Sequence, residues 1–162
     1  MLKRSKTDEE IDLEEADAGA EDGSILVVND DEDACELIAR LMESAGWQAI
    51  RSHDLATVSG TIGKERPSGV VIDSMRFGIT TAFELLNEIR AGGPEAQDVP
   101  VVIIAATDTN RLFAYQSGAD GFVVRPVHAD ELLETMLNVL TRSPAERADF
   151  RRTQLMGGAN TA

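Results

Sequence analysis

The chain of 162 residues has one cysteine, Cys35, so no disulfide can form within it, which fits a reducing cytosol. Cys35 falls among apolar residues and reads as a small core side chain. Positive charge is scarce: 15 Lys and Arg stand against 29 Asp and Glu, a net charge of −14. That balance argues against nucleic acid, whose phosphates need cationic partners. No apolar run approaches the ~20 residues that cross a bilayer, so no membrane insertion is expected. The basic start, Met1 to Lys6, runs into Thr7-Asp8-Glu9-Glu10 and not into an apolar signal region, so secretion is not expected. The two histidines, His53 and His128, lack partners at metal-ligand spacing and read as surface residues. No internal repeat is visible. What remains is 43% hydrophobic, enough for the core of one domain.

The composition divides the chain. Residues 1–24 carry nine acidic and three basic side chains, a net of −6, with little apolar content. Residues 1–23 are therefore read as a disordered acidic tail, with a short helix near Glu9–Ala16 as its one structured option. From Ile25 on, short β-branched runs alternate with helical periodicity. The runs Ile25–Val28, Trp47–Ile50, Val70–Asp73, Pro100–Ala106 and Phe122–Val124 read as strands. Helices are expected near Glu32–Ala45, Leu55–Gly63, Thr81–Ala91, Asn110–Ser117 and Ala129–Leu140. Trp47 and Met136 read as packing residues. Five strands alternating with five helices predict a doubly wound α/β domain with a five-stranded parallel sheet over residues 24–141. Residues 142–162 form a C-terminal extension. In it Ser143-Pro144 reads as a helix start, a short helix runs to about Thr153, and Gly157–Asn160 is expected to fray.

Carboxylates stand where two of these strands end. Asp73 closes the third, and Asn29-Asp30-Asp31 follows the first. In open α/β sheets the carboxyl ends of the strands share one edge, and sites gather there. Crowded carboxylates at such an edge invite a hard divalent cation such as Mg²⁺. Asp31, Glu32 and Asp33 instead read as solvated first-turn residues that favour the helix dipole. Ala105-Ala106 end the fourth strand and Arg125-Pro126 ends the fifth, at the same edge.

With Asn29-Asp30, Asp73, Ala105 and Ser117–Pro126 in this order, the chain resembles the receiver domains of two-component response regulators. The resemblance rests on Ile25–Asp31, Gly69–Asp73, Val99–Ala106 and, most specifically, Ser117–Pro126. It implies a flavodoxin-like (βα)₅ fold and a signalling module, not a turnover enzyme. Carried over by position, Asp73 is the aspartate phosphorylated by a histidine kinase. Asn29 and Asp30 match the acidic pair that holds Mg²⁺, with Asp73 and the backbone carbonyl of Met75. Ala105 falls at the Ser/Thr position that bonds the phosphoryl group, and Phe122 at the aromatic switch position. Arg125 matches the lysine that pairs with the phosphoryl group, and its bond to Pro126 is expected to be cis. The implied partners are a histidine kinase or phosphotransfer protein and a downstream protein target. Homodimerisation is an open option.

The departures from the family pattern are specific. Asn29 removes one negative charge, so weak Mg²⁺ binding is expected. Ala105 cannot donate a hydrogen bond to a phosphoryl oxygen, and Thr107 lies out of register to replace it. Arg125 keeps the charge but not the lysine's shape, and could clamp Asp73 directly. Phe77 stands where the family usually has proline. One residue is gained before Phe83, and about two are lost between Ala105 and Phe122. Two functions follow as expectations. One is a single-domain response regulator phosphorylated at Asp73, with output by protein contact at the face of helix four, strand five and helix five. The other is a phosphorylation-independent pseudo-receiver acting as an interaction module. A haloacid-dehalogenase-like phosphatase would want a threonine near Asn29–Glu32 that is absent. An FMN binder would want a Ser/Thr/Gly-rich loop where the acids stand.

Overall fold

The computed structural model describes the chain from Gly23 to Thr161, with side chains to Gly157. The acidic tail and the helix expected at Glu9–Ala16 lie outside the described residues.

The β-branched runs become β1 (Ser24–Val28), β2 (Gln48–Ser52), β3 (Gly69–Asp73), β4 (Val101–Ala105) and β5 (Gly121–Val124). They form one parallel sheet in the order β2-β1-β3-β4-β5. This is the doubly wound arrangement that the alternation predicts, in the flavodoxin-like order that the resemblance implies. Helices cover both faces, which is why β1, β3 and β4 read as unbroken apolar runs without alternation. Successive residues feed opposite cores. Leu26, Val28, Val70, Ile72 and Ile103 enter one. Ile25, Val27, Val71, Val102 and Ile104 enter the other, with Cys35, Trp47 and Met136.

The helices are α1 (Glu32–Ser44), α2 (Val58–Glu65), α3 (Ile79–Arg90), α4 (Arg111–Gln116), α5 (Ala129–Thr141) and α6 (Pro144–Thr161). A 3₁₀ turn, Leu55–Thr57, leads into α2, and one helical turn, Pro94–Gln97, precedes β4 where no helix was expected. Asp31 is not merely solvated: it caps α1, accepting from the backbone N–H of Asp33 at 3.0 Å and of Ala34 at 3.3 Å. Strand β2 is shifted to Gln48–Ser52 because it pairs with β1 along its full length, from Ser24 with Gln48 to Val28 with Ser52. Trp47 is left as a buried residue ahead of it. Helix α3 starts at Ile79, two residues early, because Gly78 breaks the chain there at φ +91°.

Helix α6 runs further than expected. Ser143 Oγ accepts from the Glu146 N–H at 3.1 Å, and the Glu146 carboxylate accepts from the Ser143 N–H at 2.7 Å, a reciprocal cap. With the nucleus so formed, each added residue costs little, and the backbone stays helical through the Gly157–Asn160 stretch expected to fray.

Candidate functional site

β1, β3, β4 and β5 end side by side, and their last residues build the site. Asp73 ends β3, and its side chain is fully buried. A carboxylate in that position needs partners for both oxygens. Oδ1 accepts the Met75 backbone N–H at 3.1 Å. Oδ2 accepts from Asn29 Nδ2 at 2.8 Å and from a terminal guanidinium nitrogen of Arg125. Asp73, Asn29 and Arg125, expected together, are therefore in direct contact.

The orientation of Asn29 is decided by its two neighbours. Its Oδ1 accepts the Asp31 backbone N–H at 2.9 Å, so its amide NH₂ must face Asp73. Turned the other way, it would set donor against donor and oxygen against oxygen. Asn29 thus enters the site as a hydrogen-bond donor to the acceptor carboxylate, and its oxygen is already engaged. Arg125 reaches Asp73 through one nitrogen, as a lysine would, and not with its two-pronged fork; its Nε is buried without a partner. The Arg125–Pro126 bond is cis.

Around this centre the edge is less polar. Asp30 lies exposed at the mouth of the site. Ala105 is buried at the end of β4 and puts a methyl group where a hydroxyl would stand. It lines a cleft of about 160 Å³ with Ser74, Met75, Gly78, Ile79 and Thr107. Thr107 does not replace the hydroxyl, because it is exposed and bonded to Thr109 Oγ1 at 3.2 Å. Ser74, which the sequence did not single out, is buried, and both its N–H (3.0 Å) and its Oγ (2.7 Å) donate to the Ile104 carbonyl. It ties the loop after Asp73 to β4. Only its place next to Asp73 could have signalled this. Phe122 is buried, with the Arg111 guanidinium 5.0 Å from its ring centre. Outside the mouth, Arg76 from the same loop lies 3.6 Å from the Asp31 carboxylate.

Asp30, Asp73 and the Met75 carbonyl are oxygen groups of the kind Mg²⁺ takes, and they would hold it. Among the described residues no three His, Cys, Asp or Glu side chains gather for a metal. The fit is to two carboxylates, not three. His53 and His128 are exposed. Among the described residues no helix is long and apolar enough to cross a membrane.

Strand order, the buried strand-end aspartate and its cationic partner together point to a receiver. The response regulator receiver domain model matches residues 25–137, so the chain belongs to that family of two-component signalling. It is 29% identical over 126 residues to the response regulator MprA of Mycobacterium tuberculosis, covering 76% of this chain and 53% of that protein. MprA of Mycobacterium avium is 29% identical over 124 residues, covering 75% and 53%. The chain thus spans about half the length of the curated relatives it matches. Among solved structures, a putative response regulator from Chloroflexus aurantiacus superposes with a TM-score of 0.66 at 22% identity, covering 75% of this chain and 99% of that one. The receiver domain of a sensor histidine kinase from Pseudomonas aeruginosa, with magnesium in its active-site cleft, has a TM-score of 0.65 at 18% identity, covering 75% and 99%.

Proposed function

We propose that Asp73 accepts a phosphoryl group from a histidine kinase or phosphotransfer protein, and that output passes by protein contact in the cytoplasm. The observation that carries this reading is the unequal use of the Asp73 oxygens. Oδ2 holds both Arg125 and Asn29, whereas Oδ1 holds only the Met75 N–H. Oδ1 is the nucleophile. It forms the new O–P bond as the N–P bond of the phosphohistidine breaks and the electron pair leaves with the imidazole. Such a transfer asks the protein mainly for positioning and charge neutralisation. Arg125 and the Asn29 amide neutralise the carboxylate from one side. Bound at Asp30, Asp73 and the Met75 carbonyl, Mg²⁺ would neutralise the incoming group. The chain acts as a signalling module and not as a turnover enzyme.

The test is incubation with Mg²⁺ and a small phosphodonor or beryllofluoride, read by intact mass and amide NMR shifts. An 80 Da adduct lost in Asp73→Ala is the expected result. No Asp73-dependent response at millimolar donor overturns the reading. A second reading is favoured by the donor orientation of Asn29 and the methyl group of Ala105. It is a pseudo-receiver whose contacts ignore phosphorylation, and for it Asp73→Ala leaves partner binding intact.

A further inference from the structure

At the opposite edge of the sheet a second buried aspartate carries no part of the chemistry above. Asp120 directly precedes β5 and is 1% exposed. Its Oδ2 accepts from Arg90 at 2.9 Å and from the Val101 N–H at 3.0 Å. Its Oδ1 accepts from Arg151, with Arg147 Nε 3.7 Å away. Arg90 belongs to the domain itself and also binds the carbonyls of Gly118 (2.7 Å) and Val99 (2.7 Å). Arg147 and Arg151 belong to α6. Arg147 reaches the Asp98 carbonyl as well. Between the two arginines Phe150 meets Tyr115 of α4 edge to face, with ring centres 5.9 Å apart, and the Arg142 guanidinium covers Phe150 at 4.0 Å.

Positions 147, 150 and 151 are spaced i, i+3, i+4 and share one helix face. That face meets a carboxylate, an aromatic ring and a free carbonyl, a matched set. Helix α6 lies beyond residue 137, where the family match ends. The solved receivers above are covered at 99% of their own length by 75% of this chain, so that fold is complete in a shorter chain. Without α6, Asp120 would still hold Arg90 and the Val101 N–H. The anchor therefore keeps Oδ2 paired when α6 leaves and offers Oδ1 to an incoming donor, the chemistry of a docking surface.

We propose that Asp120, Tyr115 and the Asp98 carbonyl form a helix-docking surface on the α4–β5 side, and that this chain's own α6 is its resident occupant, bound in cis. A partner for this surface presents a helix with two arginines four apart and an aromatic residue between them, and it binds by displacing α6. The polar groove of about 300 Å³ beside it, lined by Arg111, Thr135, Asn138, Phe150 and Gln154, is closed on one side by α6 and opens when α6 leaves. This proposal does not depend on phosphorylation of Asp73.

Tyr115 is the single tyrosine of the chain and lies under Phe150, so it reports on the cover directly. The full chain is compared with the triple variant R147A/F150A/R151A. Nitration of Tyr115 by tetranitromethane and hydrogen exchange of residues 144–157 are measured, with and without a synthetic peptide of residues 143–157. In the wild type, Tyr115 resists nitration and the peptide does not bind. In the variant, Tyr115 nitrates, exchange over 144–157 rises at least tenfold, β1, β3 and β4 stay protected, and the peptide binds and restores protection. Continued protection of Tyr115, exchange of the strands together with α6, or failure of the peptide to bind the variant overturns the proposal. So does a wild-type dimer whose dissociation exposes Tyr115, because α6 would then be bound in trans. If the triple variant does not fold, native-state exchange of the wild type in increasing urea decides. Opening of α6 before the strands supports the proposal, and opening with them overturns it.

Discussion

The two buried aspartates among the described residues of this receiver differ in what surrounds them. Asp73 holds one arginine, an asparagine amide and one backbone N–H. Asp120 holds two arginines directly, has a third close by, and takes one backbone N–H. At Asp120 cationic charge exceeds the carboxylate's, and the residue joins three segments of the chain. At Asp73 the groups just balance the carboxylate, and one oxygen is lightly used. A buried carboxylate over-supplied with donors serves as a structural clamp, and one whose supply stops at neutrality keeps an oxygen for the chemistry proposed for Asp73.

Removing each carboxylate tests this contrast. Asp120→Ala strands the arginines around a buried void and is expected to cost about 3–5 kcal/mol in urea unfolding, the range for breaking one side of a buried ion pair. Asp73→Ala should cost less, about 1–3 kcal/mol, the penalty of a buried donor left unpaired. Arg125 is partly exposed and turns to water, as does the part-buried Met75 N–H, leaving the buried Asn29 Nδ2 as the orphan. In a site with three crowded acids the same change would relieve repulsion, so a stabilised Asp73→Ala would break the comparison. Ala105→Ser restores a hydroxyl beside the cleft. It is expected to tighten the apparent beryllofluoride affinity about tenfold by titration NMR, the lower end of a charge-assisted hydrogen bond of about 1.5–3 kcal/mol.

The smallest effect belongs to a half-buried carboxylate with the same kind of partners. Glu36 accepts from Arg51 at 2.7 Å and from Arg40 at 2.8 Å, and these hold its pKa down from 4.5 to about 2. A lowered folded pKa gives stability that is full above pH 4.5 and lost as pH falls towards 2. Glu36→Gln should therefore lower stability slightly at pH 7, change little near pH 2 and so flatten the acid limb of the stability curve, read by thermal unfolding against pH.

The fold was largely legible because β1, β3 and β4 are buried on both faces and have no other use for runs of Val and Ile. The edge strand β2 was less legible. Arg51 lies in it, paired with Glu36 and Glu43 of α1, and nothing in a linear pattern announces such pairs. Leu37, at helical spacing with Ala34, Ile38 and Leu41, is 71% exposed, because that stripe is wider than the sheet can cover. At the functional edge Asp73, Asn29 and Arg125 were legible, since strand ends converge. The turn of the Asn29 amide was not, because it depends on the Asp31 N–H two residues on. Asp120 was read only as part of a motif. Its partners come from positions 90, 147 and 151, and a helix face meeting a distant loop leaves no local signature.

β5 lies between the two aspartates' partners. Asp120 precedes its first residue and Arg125 follows its last, so a strand of four residues has a buried ion pair at each end. Such a strand behaves like a beam clamped at both supports. It cannot slide along its own axis without breaking a clamp. Pulling on Arg125 therefore loads a strand whose other end is held by Asp120 and Arg90.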